Sequence, residues 1–408
     1  MKPMRFVSLI AALGLIAVAC GGAETDSTVA STSDELPTTS SGSSVIPAQT
    51  AFPEGPSALD DASAEEFPEP LVDVSQIISG GPPPDGIPPI DDPEFLDVAD
   101  HLDLYNDNAP VVALEINGDA RAYPAAVMIW HEIVNDTVGG VPVTVTYCPL
   151  CNSAVTYGRE INGSETTFGT SGRLFASALV MYDRATESMW THFDGRAVVG
   201  LLTGTQLDVY GSPLMAWSEF RTIYPNGLVL DETKTGHSRD YGANPYVGYD
   251  DPDSSPFLFF GDLDSRARAK ERVVGISLAG VDAAYSLRTI SGTGDTITVT
   301  EAAQGDTDFV IFWAPGQATA LEGPSVQFGR DVGTVGAFIP RAGDTSLTFT
   351  ADEEGFVDAE TGTKWSVAGV ALSGELAGAS LERIPHLDTF WFAWSTYRPG
   401  SELVGDVG

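Results

Sequence analysis

The chain has 408 residues, enough for one large domain or two medium ones with an ample core. Its hydrophobic content of 43% is that of a globular protein, and 20 Lys and Arg face 57 Asp and Glu for a formal charge of −37. That balance argues against a nucleic-acid partner, because phosphate binding needs clustered Lys and Arg; it reads as a solvated acidic surface.

Residues 1–19 read as a signal peptide. Lys2 and Arg5 make a positive start, and an apolar run from Phe6 to Ala19 follows, too short to span a bilayer. It ends Ala17-Val18-Ala19-Cys20, which resembles a bacterial lipobox. That resemblance implies cleavage before Cys20, acylation of its thiol, and an extracytoplasmic protein anchored to the cell membrane. No other segment has the length and hydropathy of a membrane span. Residues 20–81 are rich in Ser, Thr, Pro, Gly and acid, and no Lys or Arg occurs between Phe6 and Ala120. This composition predicts a lipid-anchored, disordered acidic tether with a reach of roughly 40 Å.

The folded part is expected to be α+β and β-dominated. Val111 to Ile116 reads as a strand, Asn117-Gly118-Asp119 as a turn, and Ala120 to Tyr123 as the return strand. Pro124 suits the first position of a short helix reaching about Glu132. Gly139-Gly140 then turns into the β-branched run from Val141 to Thr146, which delivers Tyr147 and Cys148. Asn152 to Tyr157 again looks like strand.

Much of this pattern recurs. Val111-Val112 through Tyr123 matches Val273-Val274 through Tyr285 without gaps, and Tyr147-Cys148-Pro149 meets Trp313-Ala314-Pro315. Asp183, Thr186 and Trp190 meet Asp358, Thr361 and Trp365, and Ala216-Trp217-Ser218 meets Ala393-Trp394-Ser395. The shared order predicts two tandem pseudo-repeats, 82–230 and 231–408, packed as one unit about a pseudo-twofold axis. A duplication is a built-in control. Features of both copies, Asp183 and Trp190 among them, read as architectural. Cys148, Cys151 and His131 belong to the first copy alone: Ala314 stands where Cys148 stands, and the neighbourhood of Thr293 replaces His131. The second copy is chemically degenerate.

Once Cys20 is assigned to lipid, Cys148 and Cys151 are the remaining cysteines, and a bridge over so short a loop staples almost nothing. Such a CxxC motif has two chemical uses. As a thiol redox site, Cys148 would be the attacking thiolate, Cys151 the resolving thiol, and His131 the base or charge partner; no cofactor is required. The partner would be a small-molecule or protein thiol or disulfide. As a metal site, Cys148, Cys151, His131 and His192 would hold a single copper, zinc or iron ion. The strand-like residues after Cys151 remove the helix N-terminus that lowers thiol pKa in thioredoxin-like proteins. Glu132, Tyr147, Tyr182 and Asp183 are candidates for supporting roles. The aromatic run Phe390-Trp391-Phe392-Ala393-Trp394 reads as core. A third possibility is a non-catalytic extracellular binding module.

Several segments together resemble domain-of-unknown-function family 3179. They are Asp85-Gly86-Ile87-Pro88-Pro89-Ile90-Asp91, Arg121-Ala122-Tyr123-Pro124, His131-Glu132-Ile133-Val134-Asn135-Asp136, Val145-Thr146-Tyr147-Cys148-Pro149-Leu150-Cys151, Leu179-Val180-Met181-Tyr182-Asp183-Arg184 with Trp190, and Phe390 to Trp394. The likeness runs from about Asp85 to Val404. Members are often exported, and some carry selenocysteine in the Cys-Pro-x-Cys motif. The resemblance therefore implies redox work at the positions of Cys148 or Cys151.

Overall fold

Alternating and β-branched runs dominate this sequence, and they form strands because branched side chains pack on a pleated surface at little entropic cost. The computed structural model describes residues 52–353 and 355–407. Among these residues, short strands in several sheets far outnumber four α-helices of five to seven residues. None of these helices is long and apolar enough to cross a membrane. The signal peptide, Cys20 and the tether up to residue 51 lie outside the described residues.

The first half begins as the sequence predicts. Strands Pro110–Ile116 and Asp119–Pro124 pair antiparallel. Asn117 (φ 53°) and Gly118 (φ 84°) turn between them, both in the left-handed region that a tight hairpin demands. Helix Ala125–His131 follows, one residue later than Pro124 suggested, and Glu132 caps it at φ 59°. Strands Ile133–Val138, Val141–Cys148 and Ser153–Gly158 then form a meander, with Val209–Tyr210 at its edge.

The same order of elements returns later in the chain. Hairpin Arg272–Leu278/Val281–Ser286 leads to helix Leu287–Ser291 and strands Thr298–Gln304, Thr307–Ala314 and Thr334–Ile339. Each hairpin carries a strand on both flanks. Leu214–Ala216 pairs antiparallel with Pro110–Ile116, and Leu228–Leu230 runs parallel to Asp119–Pro124. His386–Phe390 and Glu402–Val404 take the same places beside the second hairpin. The matched turns agree atom for atom. Asp183 accepts from Thr186 N at 2.7 Å and Trp190 Nε1 at 3.0 Å; Asp358 accepts from Thr361 N at 2.6 Å and Trp365 Nε1 at 2.9 Å. These carboxylates hold turns, as their presence in both halves suggested.

Two boundaries differ from the sequence reading. Residues 52–81 are packed against the fold rather than free: Ala58 and Ile77 are buried with Val180, Met189 and Val199, and Ile78–Ser79 pairs with Leu174 and Arg173. A few apolar side chains spaced through an acidic segment suffice to seat it on a sheet edge. The second set of elements begins at Arg272, not at residue 231. Residues 231–271 contain one 3-10 helix, Glu232–Lys234, and no strand, and they lie over the first half. Trp130 Nε1 donates to Ala243 O at 3.3 Å, and Tyr249 OH to Leu150 O at 3.1 Å.

Replacing Asp183 or Asp358 by Ala leaves a buried indole N–H, a hydroxyl and a backbone N–H without their acceptor. Each change is expected to cost about 2–4 kcal/mol, read as a lower urea midpoint at an unchanged slope.

Candidate functional site

Strand Val141–Cys148 ends where it does because Pro149 has no N–H to donate to the ladder. Cys148 pairs with Ser153, so Pro149-Leu150-Cys151-Asn152 is the tip of a hairpin, with Asn152 at φ 50° to reverse the chain. The second half clamps this tip. Thr389 Oγ1 donates to Cys151 O at 2.6 Å, and Phe390 N donates to the same carbonyl at 3.2 Å. Arg272 Nε holds the neighbouring Asp388 at 3.0 Å.

Both cysteines are free thiols, 1% and 0% exposed. Their environments differ sharply. Burial works against a Cys148 thiolate. The neighbouring Cys151 side chain and the backbone amides of Leu179, Cys151 and Leu150 outweigh it and hold Cys148 below the usual thiol range. Leu179 N lies 3.4 Å from its sulfur. Turn amides thus do what a helix N-terminus does in other thiol sites. Cys151 is pushed well up, by burial first and then by Cys148, with Ser153 opposing. The two thiols are thus shifted in opposite directions.

Cys151 opens a chain of hydrogen bonds whose direction the acceptors fix. Thr146 Oγ1 donates to Val155 O at 2.6 Å, since a carbonyl can only accept. Thr146 therefore accepts from His192 Nδ1 at 3.0 Å, which puts the imidazole proton on Nδ1. His192 Nε2 is then a bare acceptor for Ser153 Oγ at 2.9 Å, and Ser153 in turn accepts from Cys151 Sγ at 3.0 Å. Tyr157 OH donates to the His192 carbonyl at 2.7 Å and fixes the ring's backbone. Burial pushes His192 down to about 4, with the Ser153 bond opposing, so it is a neutral base at pH 7.

His131, predicted as that base, is elsewhere. Its Nδ1 donates to Pro88 O at 2.6 Å and its Nε2 accepts from Tyr241 OH at 2.7 Å. It ties the loop at Pro88 to the segment at Tyr241, and burial lowers its pKa to about 4, so it supplies no positive charge. The predicted metal set of Cys148, Cys151, His131 and His192 does not assemble either. His192 meets Cys151 only through Ser153, and among the described residues no three His, Cys, Asp or Glu groups are arranged to hold an ion. The four predicted ligands therefore do not form one site.

Of the supporting candidates, Tyr147 OH donates to Asn152 Oδ1 at 3.3 Å and steadies the tip, while Tyr182 OH donates to Asp85 Oδ2 at 2.7 Å. Glu132 is buried, and burial, followed by the nearby Cys148, pushes its carboxyl well above the usual range. It lines a cavity of about 460 Å³ together with Leu150, Leu179, Tyr246 and Tyr249.

Sequence reasoning missed Thr146 and Ser153. The duplication held the missing signal. In the second half the strand register puts Phe312 where Thr146 stands and Thr334 opposite Ala314, where Ser153 stands opposite Cys148. Counted from the paired tryptophans Trp190 and Trp365, Val367 takes the place of His192. The whole relay is confined to one half.

A family model described as a protein of unknown function (DUF3179) matches residues 84–401. No curated protein and no solved structure matches the chain.

His192 sets a pH signature. The unfolded chain takes its proton near pH 6.5 and the folded one near 4, so acidification through this window favours unfolding. His192 is expected to cost about 3 kcal/mol of stability between pH 6.5 and 4, and His131 adds a loss of the same sign. In urea titrations His192→Asn should retain only the shallower part of this slope; an unchanged slope would contradict a buried neutral His192.

Proposed function

The chain belongs to this family of unknown function, and from that premise we propose that it is a thiol-based oxidoreductase working through Cys148 and Cys151. The unequal pair of thiols carries the reading, since one sulfur is stabilised as thiolate while its neighbour is wired to a neutral imidazole. Cys148 attacks one sulfur of a disulfide oxidant, breaks its S–S bond, and forms a mixed disulfide while the other half leaves as thiolate. Cys151 gives its proton to Ser153, whose own proton passes to His192 Nε2. The Cys151 sulfur then attacks Cys148, forming the disulfide and expelling the rest of the adduct. An external thiol restores both thiols. Placement of the sulfurs under side chains at 0–1% exposure favours a small-molecule partner over a folded protein.

In this reading the two halves are tandem pseudo-repeats packed about a pseudo-twofold axis, the first armed and the second serving as its clamp. Residues 1–19 act as an export signal, and lipid on Cys20 anchors the protein to the outer face of a cell membrane. The acidic surface suits that medium and offers nothing to nucleic acid.

Free-thiol titration before and after a small disulfide oxidant tests the assignment. The wild type should lose both tip thiols and regain them with excess reductant. Cys151→Ser should accumulate a stable adduct at Cys148, and Cys148→Ser should leave Cys151 unreactive; full activity in Cys148→Ser would remove the proposal. His192→Asn should slow disulfide closure about 10²-fold while sparing the first attack, seen by mass spectrometry of quenched samples.

A further inference from the structure

We infer that the cavity beside Cys148 admits an apolar organic hydroperoxide, and that the Glu132 carboxylic acid protonates the alkoxide released when Cys148 takes the terminal oxygen. The inference rests on the thiol-redox reading and names its oxidant.

Three observations carry it. The first is access. Leu179, whose N–H meets the Cys148 sulfur, and Leu150, within the tip, both line the 460 Å³ cavity, so the cavity reaches the residues that cover that sulfur. Its walls include Ile87, Leu174, Tyr246 and Phe257. Such walls favour an apolar body and penalise a charged disulfide or a small hydrophilic peroxide, which would lose hydration without gaining partners.

The second is the backbone of Glu132. It caps helix Ala125–His131 at φ 59°, a left-handed conformation that a residue with a Cβ disfavours. The matching helix, Leu287–Ser291, ends on Gly292 at φ 56°. The first half therefore keeps a carboxyl-bearing residue where glycine would be free of strain, and that residue lines the cavity. Burial, and then Cys148, raise its pKa well above the usual carboxyl range.

The third is the chemistry of the leaving group. An alkoxide is a poor leaving group and needs a proton as the O–O bond breaks, whereas an aromatic thiolate does not. The steps balance. Cys148 S⁻ forms an S–O bond to the terminal oxygen, the O–O bond breaks, and RO⁻ takes the Glu132 proton to leave as ROH. Cys148 becomes a sulfenic acid and Glu132 a carboxylate. Cys151 then attacks the sulfenic sulfur, an S–S bond forms, and water leaves. A small dithiol returns the pair to thiolate and thiol, is itself oxidised to a disulfide, and its remaining proton restores Glu132.

The test uses the reduced full chain, rapidly mixed with cumene hydroperoxide, hydrogen peroxide or dithiodipyridine, with loss of free thiols followed in time. Wild type should react at least tenfold faster with cumene hydroperoxide than with hydrogen peroxide. Glu132→Gln should lower the ratio of the cumene hydroperoxide rate to the dithiodipyridine rate about 100-fold. Equal peroxide rates, a comparison that needs no variant, or an unchanged ratio in a folded Glu132→Gln protein would overturn the inference while oxidation by dithiodipyridine leaves the redox reading standing. No thiol loss with any of the three would remove both.

Discussion

Taking two sulfur atoms out of water at the end of one β-strand constrains everything around them. A buried thiolate survives only where fixed donors replace its hydration. At Cys148 those donors are the backbone amides of Leu179, Cys151 and Leu150. Because the donors belong mainly to the backbone, the geometry of the tip matters more than the identity of its neighbours. Pro149 stops the ladder, Asn152 reverses the chain, and Thr389 and Phe390 hold the Cys151 carbonyl from outside.

That clamp gives the second half a purpose. Its strand His386–Phe390 pairs with Arg272–Leu278 and also reaches the cysteine tip, so the second half presents hydrogen-bond donors to that tip. The linking segment contributes too. Lys270 Nζ donates to Tyr249 O at 2.7 Å and sits 3.5 Å from the centre of the Tyr249 ring, and Tyr249 OH reaches Leu150 O in the tip. Substitutions in the second half can therefore alter the reactivity of a cysteine far away in sequence by loosening its carbonyl.

The neutral state of the site follows from the same burial. Solvation is withheld from His192 and Glu132 alike, which lowers the imidazole to about 4 and raises the carboxyl well above its usual range. Burial thus works against the charged form of both groups. Direction in the relay comes from Val155 O, an atom that can only accept, and propagates through Thr146, His192 and Ser153 to Cys151.

The sequence by itself determined much of the frame. Asn117-Gly118 announced a hairpin because only a left-handed pair closes it. The β-branched run before Cys148 announced the strand, and comparison of the two copies separated the turn-holding Asp183 from the chemically distinctive Cys148 and Cys151. It named His131 as the base and gave His192 a place only in the alternative metal set. The choice between them belonged to tertiary structure, since a hydrogen bond from Ser153 to His192 depends on two strands of different sheets meeting, which no local pattern records. The seating of residues 52–81 and the clamp from Thr389 were settled at the same level. Both rest on contacts between residues distant in sequence, where burial outweighs the acidic composition or loop-like spacing of the segment concerned.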